Sequence, residues 1–139
     1  MREIEYRGWD SHNKRWVYGL LLMDVKGHYR IQYDPRQFSV IVDPDSIGEY
    51  TGIKDKNNKK IYEGDIILTQ GQNRRFIQVV EFHNTRETCG RGWVGVNHKT
   101  VDNFGHDNPV QGGFSYSPMP CHCEIIGNIH ENPELLKTE

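Results

Sequence analysis

Apolar and polar positions alternate in short runs broken by turn residues along most of the chain, and no run keeps a helical period beyond a couple of turns. Ile4, Tyr6 and Gly8 alternate with Glu3, Glu5, Arg7 and Trp9, which predicts a first strand over residues 2–10. Residues 11–14 are a polar turn, and residues 15–23 form a longer apolar strand that closes a hairpin on the first. After a turn at 24–27, residues 28–33 alternate cleanly, Asp34-Pro35-Arg36 breaks the run, and residues 38–42 make another short strand. Asp43-Pro44-Asp45-Ser46 is a turn and a candidate seam, dividing an N-terminal β-meander (1–46) from the remainder of the chain (47–139).

The most informative stretch is 47–67. β-formers alternate from Glu49 to Ile53, Asp55-Lys56-Asn57-Asn58-Lys59 supplies residues that tolerate positive φ, and Lys60-Ile61-Tyr62 resumes the strand. Glu63-Gly64-Asp65 then turns the chain into Ile66-Ile67-Leu68. Beyond a loop at 69–73, residues 76–82 predict a strand with one apolar face, and residues 91–96 a shorter strand in which Trp93 is a core anchor. Residues 97–120 are polar and rich in Gly, which predicts a long loop, either a mobile binding element or a variable insertion. Residues 123–129 form a last strand. Asn132 as N-cap, Pro133 at the first helical position and Glu134 beside the dipole predict a single C-terminal helical turn.

Composition agrees with a folded chain of strands and turns. At 139 residues there is room for one domain or two very small barrels. Mean hydropathy is low at -0.76, yet 11% of residues are aromatic, far more than disordered segments carry. The net charge of -2 exerts no global pull toward nucleic acid or anionic membrane. The N-terminus has no apolar leader region, and nothing approaches the roughly 18 consecutive apolar residues of a membrane span, so a soluble protein with no membrane partner is expected. Cys89, Cys121 and Cys123 are an odd number, with one pair too close in sequence for a relaxed bridge. That excludes a disulfide framework and points to a reducing cytoplasm.

Three blocks together carry a family resemblance: the opening at residues 2–10 with Arg7-Gly8-Trp9-Asp10, EYTGIKDKNNKKIYEGDII at 49–67, and CEIIGNIHENPELL at 123–136. In that order they resemble the YopX family of phage and prophage proteins, over nearly the whole chain. The resemblance implies a single YopX-like domain over 1–139 built from small SH3-like β-barrel units, encoded by a bacteriophage or prophage, with no activity established. Gly8 stands where alanine is commoner in such sequences, and Asn58 where glycine is commoner. The second change keeps the turn feasible, since Asn tolerates the left-handed region best among non-glycine residues.

Few constellations carry chemistry. Cys121-His122-Cys123, with His83, Cys89, His98, His106 and His130 elsewhere, is the only grouping with soft metal-ligand character, but it lacks the paired spacing of a structural zinc site. Asp43/Asp45 and Glu63/Asp65 could each be imagined as acid/base pairs, and turn chemistry explains both. No nucleophile elbow or phosphate-binding glycine loop is present. Neither a catalytic residue nor a cofactor or metal is expected. Lys54, Lys56, Lys59 and Lys60 crowd the hairpin tip with Arg74 and Arg75 on the next loop and aromatics nearby, a pattern that suits single-stranded nucleic acid as well as a solvated hairpin tip. The sequence thus predicts an all-β accessory protein of SH3-like units with a short C-terminal helical turn. It is expected to bind a protein partner, including a second copy of itself, without catalysis in the host cytoplasm, with nucleic-acid binding through those six basic residues as the alternative.

Overall fold

Period-two alternation becomes strand wherever one side-chain row can reach a core. The computed structural model describes residues 4–34, 36, 38–70, 74–82, 93–102, 106–109, 116–118 and 123–137. The chain divides into two units, Met1–Gly52 and Ile53–Glu139.

The first unit contains β1 (Tyr6–Asp10), β2 (Arg15–Met23), β3 (Tyr29–Gln32), β4 (Ser39–Ile41), a 3-10 turn at Pro44–Ser46 and the start of β5 (Gly48–Lys54). These strands run in the order β4-β3-β2-β1-β5. Carboxylates close the turns: Asp10 accepts the backbone N–H groups of His12 and Asn13, both at 3.2 Å, and Asp24 those of Lys26 and His28, both at 2.9 Å. One face of the sheet is the core, with Val17, Ile31 and Val42 buried and Tyr6, Leu21, Tyr29, Val40 and Ile47 packed against them. The turn at 43–46 is tied to β1, since Ser46 Oγ accepts the Trp9 N–H at 2.7 Å and Asp43 N–H donates to Trp9 O at 2.9 Å. The division between units falls beyond this turn, inside β5, because Gly48 and Glu49 pair with Arg7 and Tyr6 and hold the start of β5 in the first unit.

The second unit holds the end of β5, β6 (Lys60–Tyr62), β7 (Asp65–Gln70), β8 (Arg74–Phe82), β9 (Trp93–Asp102), β10 (Asp107–Pro109), β11 (Tyr116–Pro118), β12 (Cys123–Asn128) and a 3-10 turn at Pro133–Leu136. Its sheet runs β10-β9-β8-β7-β12, with β11 also paired to β9. Successive residues of β7 face opposite ways, and both faces are buried. Ile67, Val80, Trp93 and Cys123 pack with Ile61 and Ile53 of the β5–β6 hairpin on one side. On the other, Ile66, Ile77 and Val79 pack with Leu68, Val101, Ile126 and the C-terminal Leu135 and Leu136. Each fully buried Ile of this kind contributes about 1.5–3 kcal/mol relative to exposure, so hairpin and C-terminal turn both matter to the sheet.

Several expectations are corrected by this arrangement. Strand β8 has two buried faces rather than one, with Gln78 buried beside Val79 and Val80. The amide is tolerated because Thr69 Oγ1 donates to Gln78 Oε1 at 2.9 Å and Gly95 leaves room for it, a Cβ there meeting Oε1 at 2.6 Å. The loop expected over 97–120 is partly sheet: β9 continues to Asp102, and β10 and β11 pair on it. The C-terminal helical turn forms, but Asn132 makes no side-chain cap. Its Oδ1 instead accepts the Asn128 N–H at 3.3 Å. The all-β class holds, whereas neither strand order closes on itself among the described residues, so no closed barrel is formed by these pairings.

Candidate functional site

A single carboxylate shapes the basic hairpin. Asp55 N–H donates to Lys59 O at 2.8 Å and Asn58 N–H to Asp55 O at 3.0 Å, while Asn58 takes φ of 66°. This is a tight turn followed by one left-handed residue, the usual three-residue hairpin connection. Asp55 Oδ1 accepts the N–H groups of Asn57 (2.9 Å) and Lys59 (2.8 Å), and Oδ2 accepts that of Ile125 in β12 (3.2 Å). Burial pushes the Asp55 carboxyl up, but the N–H groups of Lys59, Ile125 and Asn57 and the charge of Lys59 outweigh it and hold the group below its ordinary value.

Register carries the two basic segments to one end of the second unit's sheet. Lys56 N–H donates to Cys123 O at 2.9 Å, Cys123 pairs with Thr69, and Thr69 pairs with Phe76, next to Arg75. With strands about 4.8 Å apart, roughly 10 Å separates Cys123 from Phe76. Lys54, Lys59 and Arg75 are exposed and Lys60 is half-buried. The positive charge is partly spent locally: Lys56 Nζ lies 3.3 Å from Glu124 Oε2, an exposed pair worth about 0–1 kcal/mol. Arg74 stands opposite Asp102 in the β8–β9 register.

The other constellations resolve differently. Asp65 Oδ2 accepts the buried Tyr62 N–H at 2.8 Å across Gly64, whose φ of 89° demands glycine, and Asp43 flanks the 3-10 turn at Pro44–Ser46. Both carboxylate pairs are placed in turns. Cys121, His122, Cys89 and His83 lie outside the described residues, as does the His98 side chain. Cys123 is buried within the core as a thiol outside any disulfide, while His106 and His130 are exposed. Among the described residues no group of three or more His, Cys, Asp or Glu is placed to hold a metal ion, and no helix is long and apolar enough to cross a membrane.

Sequence reasoning missed a different surface. Because Val17 and Leu21 of β2 face the core, Trp16, Tyr18, Leu20 and Leu22 take the opposite face of the first unit's sheet. Tyr18, Leu20 and Leu22 are 44%, 53% and 40% exposed. Ile41, 46% exposed, joins them, since it pairs with Arg30, which pairs with Leu22. The row ends at Trp16, which meets Trp9 edge-on at 5.4 Å and lies under the Arg7 guanidinium at 4.8 Å. Arg30 is turned to Asp24, its Nε 3.1 Å from Oδ2. The N–H of His28, then Arg30 and the N–H of Lys26, lower the Asp24 carboxyl to about 2 against opposing desolvation. The available signal was that both alternating sets of residues 15–23 are apolar, in a chain of mean hydropathy -0.76.

A family model described as YopX protein matches residues 5–137. No curated protein matches the chain. Among solved structures, the crystal structure of protein EF1440 from Enterococcus faecalis is similar, with a TM-score of 0.53 and 24% identity over 99% of this chain and 100% of that one. At that identity the likeness speaks for the fold alone. With the family model matched over nearly its full length, the chain belongs to the YopX protein family.

Proposed function

We propose that this YopX-family chain is a phage- or prophage-encoded accessory protein that works without catalysis, as a module binding another protein in the cytoplasm of the bacterial host. The observation that carries the reading is the row Tyr18, Leu20, Leu22 and Ile41 on the outer face of the first unit. A row of exposed large apolar side chains along one strand, Tyr18, Leu20 and Leu22, with Ile41 beyond Arg30, is costly in water on a polar chain and fits contact with an apolar protein surface. The SH3-like description belongs to the same reading of the second unit, supported by its β7-β8-β9 meander with the β5–β6 hairpin packed across one face.

The test is capture from bacterial lysate by the tagged chain, with and without nuclease, against the Leu20→Ser/Leu22→Ser variant. A nuclease-resistant protein lost with the variant supports the reading. Equal capture by both chains, or recovery of nucleic acid alone, sinks it.

Nucleic-acid binding is the second reading, favoured by the convergence of Lys54, Lys56, Lys59, Lys60, Arg74 and Arg75 at one end of the second unit's sheet. Reversing the charge of the four lysines should then abolish retention of single-stranded nucleic acid. Unchanged binding would dispose of it.

A further inference from the structure

Strand β4 ends the order β4-β3-β2-β1-β5, and its backbone pattern shows which groups face the open side. Val42 N–H donates to Tyr29 O at 3.0 Å and Tyr33 N–H to Phe38 O at 3.1 Å. Bonded pairs alternate with non-bonded ones in an antiparallel ladder, so Ile31 and Val40 form the bonded pair between them. Ser39 and Ile41 therefore turn their N–H and C=O groups away from β3, apart from a 3.5 Å approach of Arg30 Nη1 to Ser39 O. Such an edge is a template for another strand.

We propose that the first unit pairs edge to edge with a second copy of this chain through β4, antiparallel and about a two-fold axis at Val40. The inference rests on the reading of this unit as a protein-binding surface and names one partner for it. That register pairs both outward residues of the three-residue strand at once: Ser39 meets Ile41 of the second copy and Ile41 meets its Ser39, each exchanging backbone hydrogen bonds, while Val40 faces Val40 of the second copy. The outer apolar row then continues from Leu22 through Arg30 and Ile41 into the second copy. Phe38, 58% exposed, comes opposite Val42 of the second copy.

Charge selects the same arrangement. Exposed Arg36 precedes the strand, and Asp43 and exposed Asp45 follow it. In antiparallel pairing, Arg36 approaches Asp43 and Asp45 of the second copy, twice by symmetry. A parallel pairing sets Arg36 beside Arg36 and the acids beside each other. With a three-residue strand at its centre, the contact is at the small end of specific interfaces, and a dissociation constant on the order of 10 μM to 1 mM is expected.

Sedimentation equilibrium of the full chain over a concentration series tests this. The wild type is expected to dimerise within that range. Ile41→Pro removes an outward N–H together with the Ile41 side chain but no hydrogen bond to β3, and is allowed on an edge strand, so it should weaken dimerisation about tenfold or more. Arg36→Glu should weaken it independently of any effect on the strand, and Arg36→Glu/Asp45→Arg should restore it. A monomer at every concentration to about 1 mM, or a dimer indifferent to both Ile41→Pro and Arg36→Glu, overturns the proposal. If the chain stays monomeric while Leu20→Ser/Leu22→Ser still loses its captured protein, the second copy falls and the binding-module reading survives. If the edge variants dissociate the dimer while the face variant retains every captured protein, the reverse holds.

Discussion

Asp55 shows how much one residue holds in the second unit. Its carboxylate accepts N–H groups from Asn57, Lys59 and the distant Ile125 while itself 5% exposed. Truncation leaves those donors without it, and a buried unsatisfied donor costs about 1–3 kcal/mol. Asp55→Ala is therefore expected to lower stability by about 2–4 kcal/mol, read as a fall in the urea midpoint. The pH dependence follows from the depressed value. In the unfolded chain the group titrates near 3.8, and in the folded chain lower. The unfolded state takes up the proton first, so the stabilisation is full above about 4 and is lost as pH falls through the folded value. Asp10, lowered by the Asn13 side chain against its own burial, and Asp24, lowered to about 2, act with the same sign. The urea midpoint should be flat above about pH 5 and fall between about 4 and 2; an Asp55→Asn chain should lose part of that slope. A slope as steep in Asp55→Asn as in the wild type would remove Asp55 from the account. Gly8 is a second test at this scale. A Cβ added there would come within 2.7 Å of Val42 Cγ2 and 2.8 Å of Val42 Cβ. Close approach of this strand to Val42 leaves no room for a side chain at Gly8, and Gly8→Ala should cost about 1–3 kcal/mol by overpacking.

Among the elements, the β5–β6 hairpin was the most legible, because its signals are local. The turn residues 55–59 sit where the sequence places them, and Asn58 is left-handed with φ of 66°. Asn58→Gly relieves a conformation that an L residue adopts at a cost and should leave stability unchanged or raise it by up to about 1 kcal/mol, whereas Asn58→Val should lower it by about 1–2 kcal/mol, both measurable as shifts in melting temperature. Strand β2 was legible for the same reason, its bounds Arg15–Met23 coinciding with the apolar run. The end of β9 was not. Lys99 and Thr100 are polar yet buried, and the lysine is accommodated because its Nζ donates to Lys137 O at 2.8 Å. No local pattern announces a partner 38 positions away. Asn132 failed as a cap for a related reason: Gly127 leaves space for its side chain, a Cβ there meeting Oδ1 at 2.7 Å, and Asn128 offers a donor. The exposed row on β2 was written in the sequence as apolar residues on both alternations, but which row lacks a core depends on β3 and the turn at 43–46, which only the fold supplies.

For the whole molecule, two surfaces compete for the function, and ionic strength separates them. A hairpin acting through Lys54, Lys59, Lys60 and Arg75 would neutralise about four phosphates of a single strand, and affinity would then fall about fiftyfold between roughly 50 and 200 mM salt. Contact through Tyr18, Leu20, Leu22 and Ile41 releases water rather than counterions and should be unmoved by the same change, or slightly strengthened by sulfate. Charge argues in the same direction. The net charge of -2 gives nucleic acid no long-range attraction, and Lys56 is already paired with Glu124. Complex formation with the captured protein should therefore persist at high salt and fail in Leu20→Ser/Leu22→Ser, whose exposed positions carry no core packing and whose melting temperature should stay near that of the wild type. A complex that dissolves with salt, ignores the two serines and is lost when the charges of Lys54, Lys56, Lys59 and Lys60 are reversed would transfer the function to the hairpin, because neither the apolar row nor the β4 edge contains those lysines.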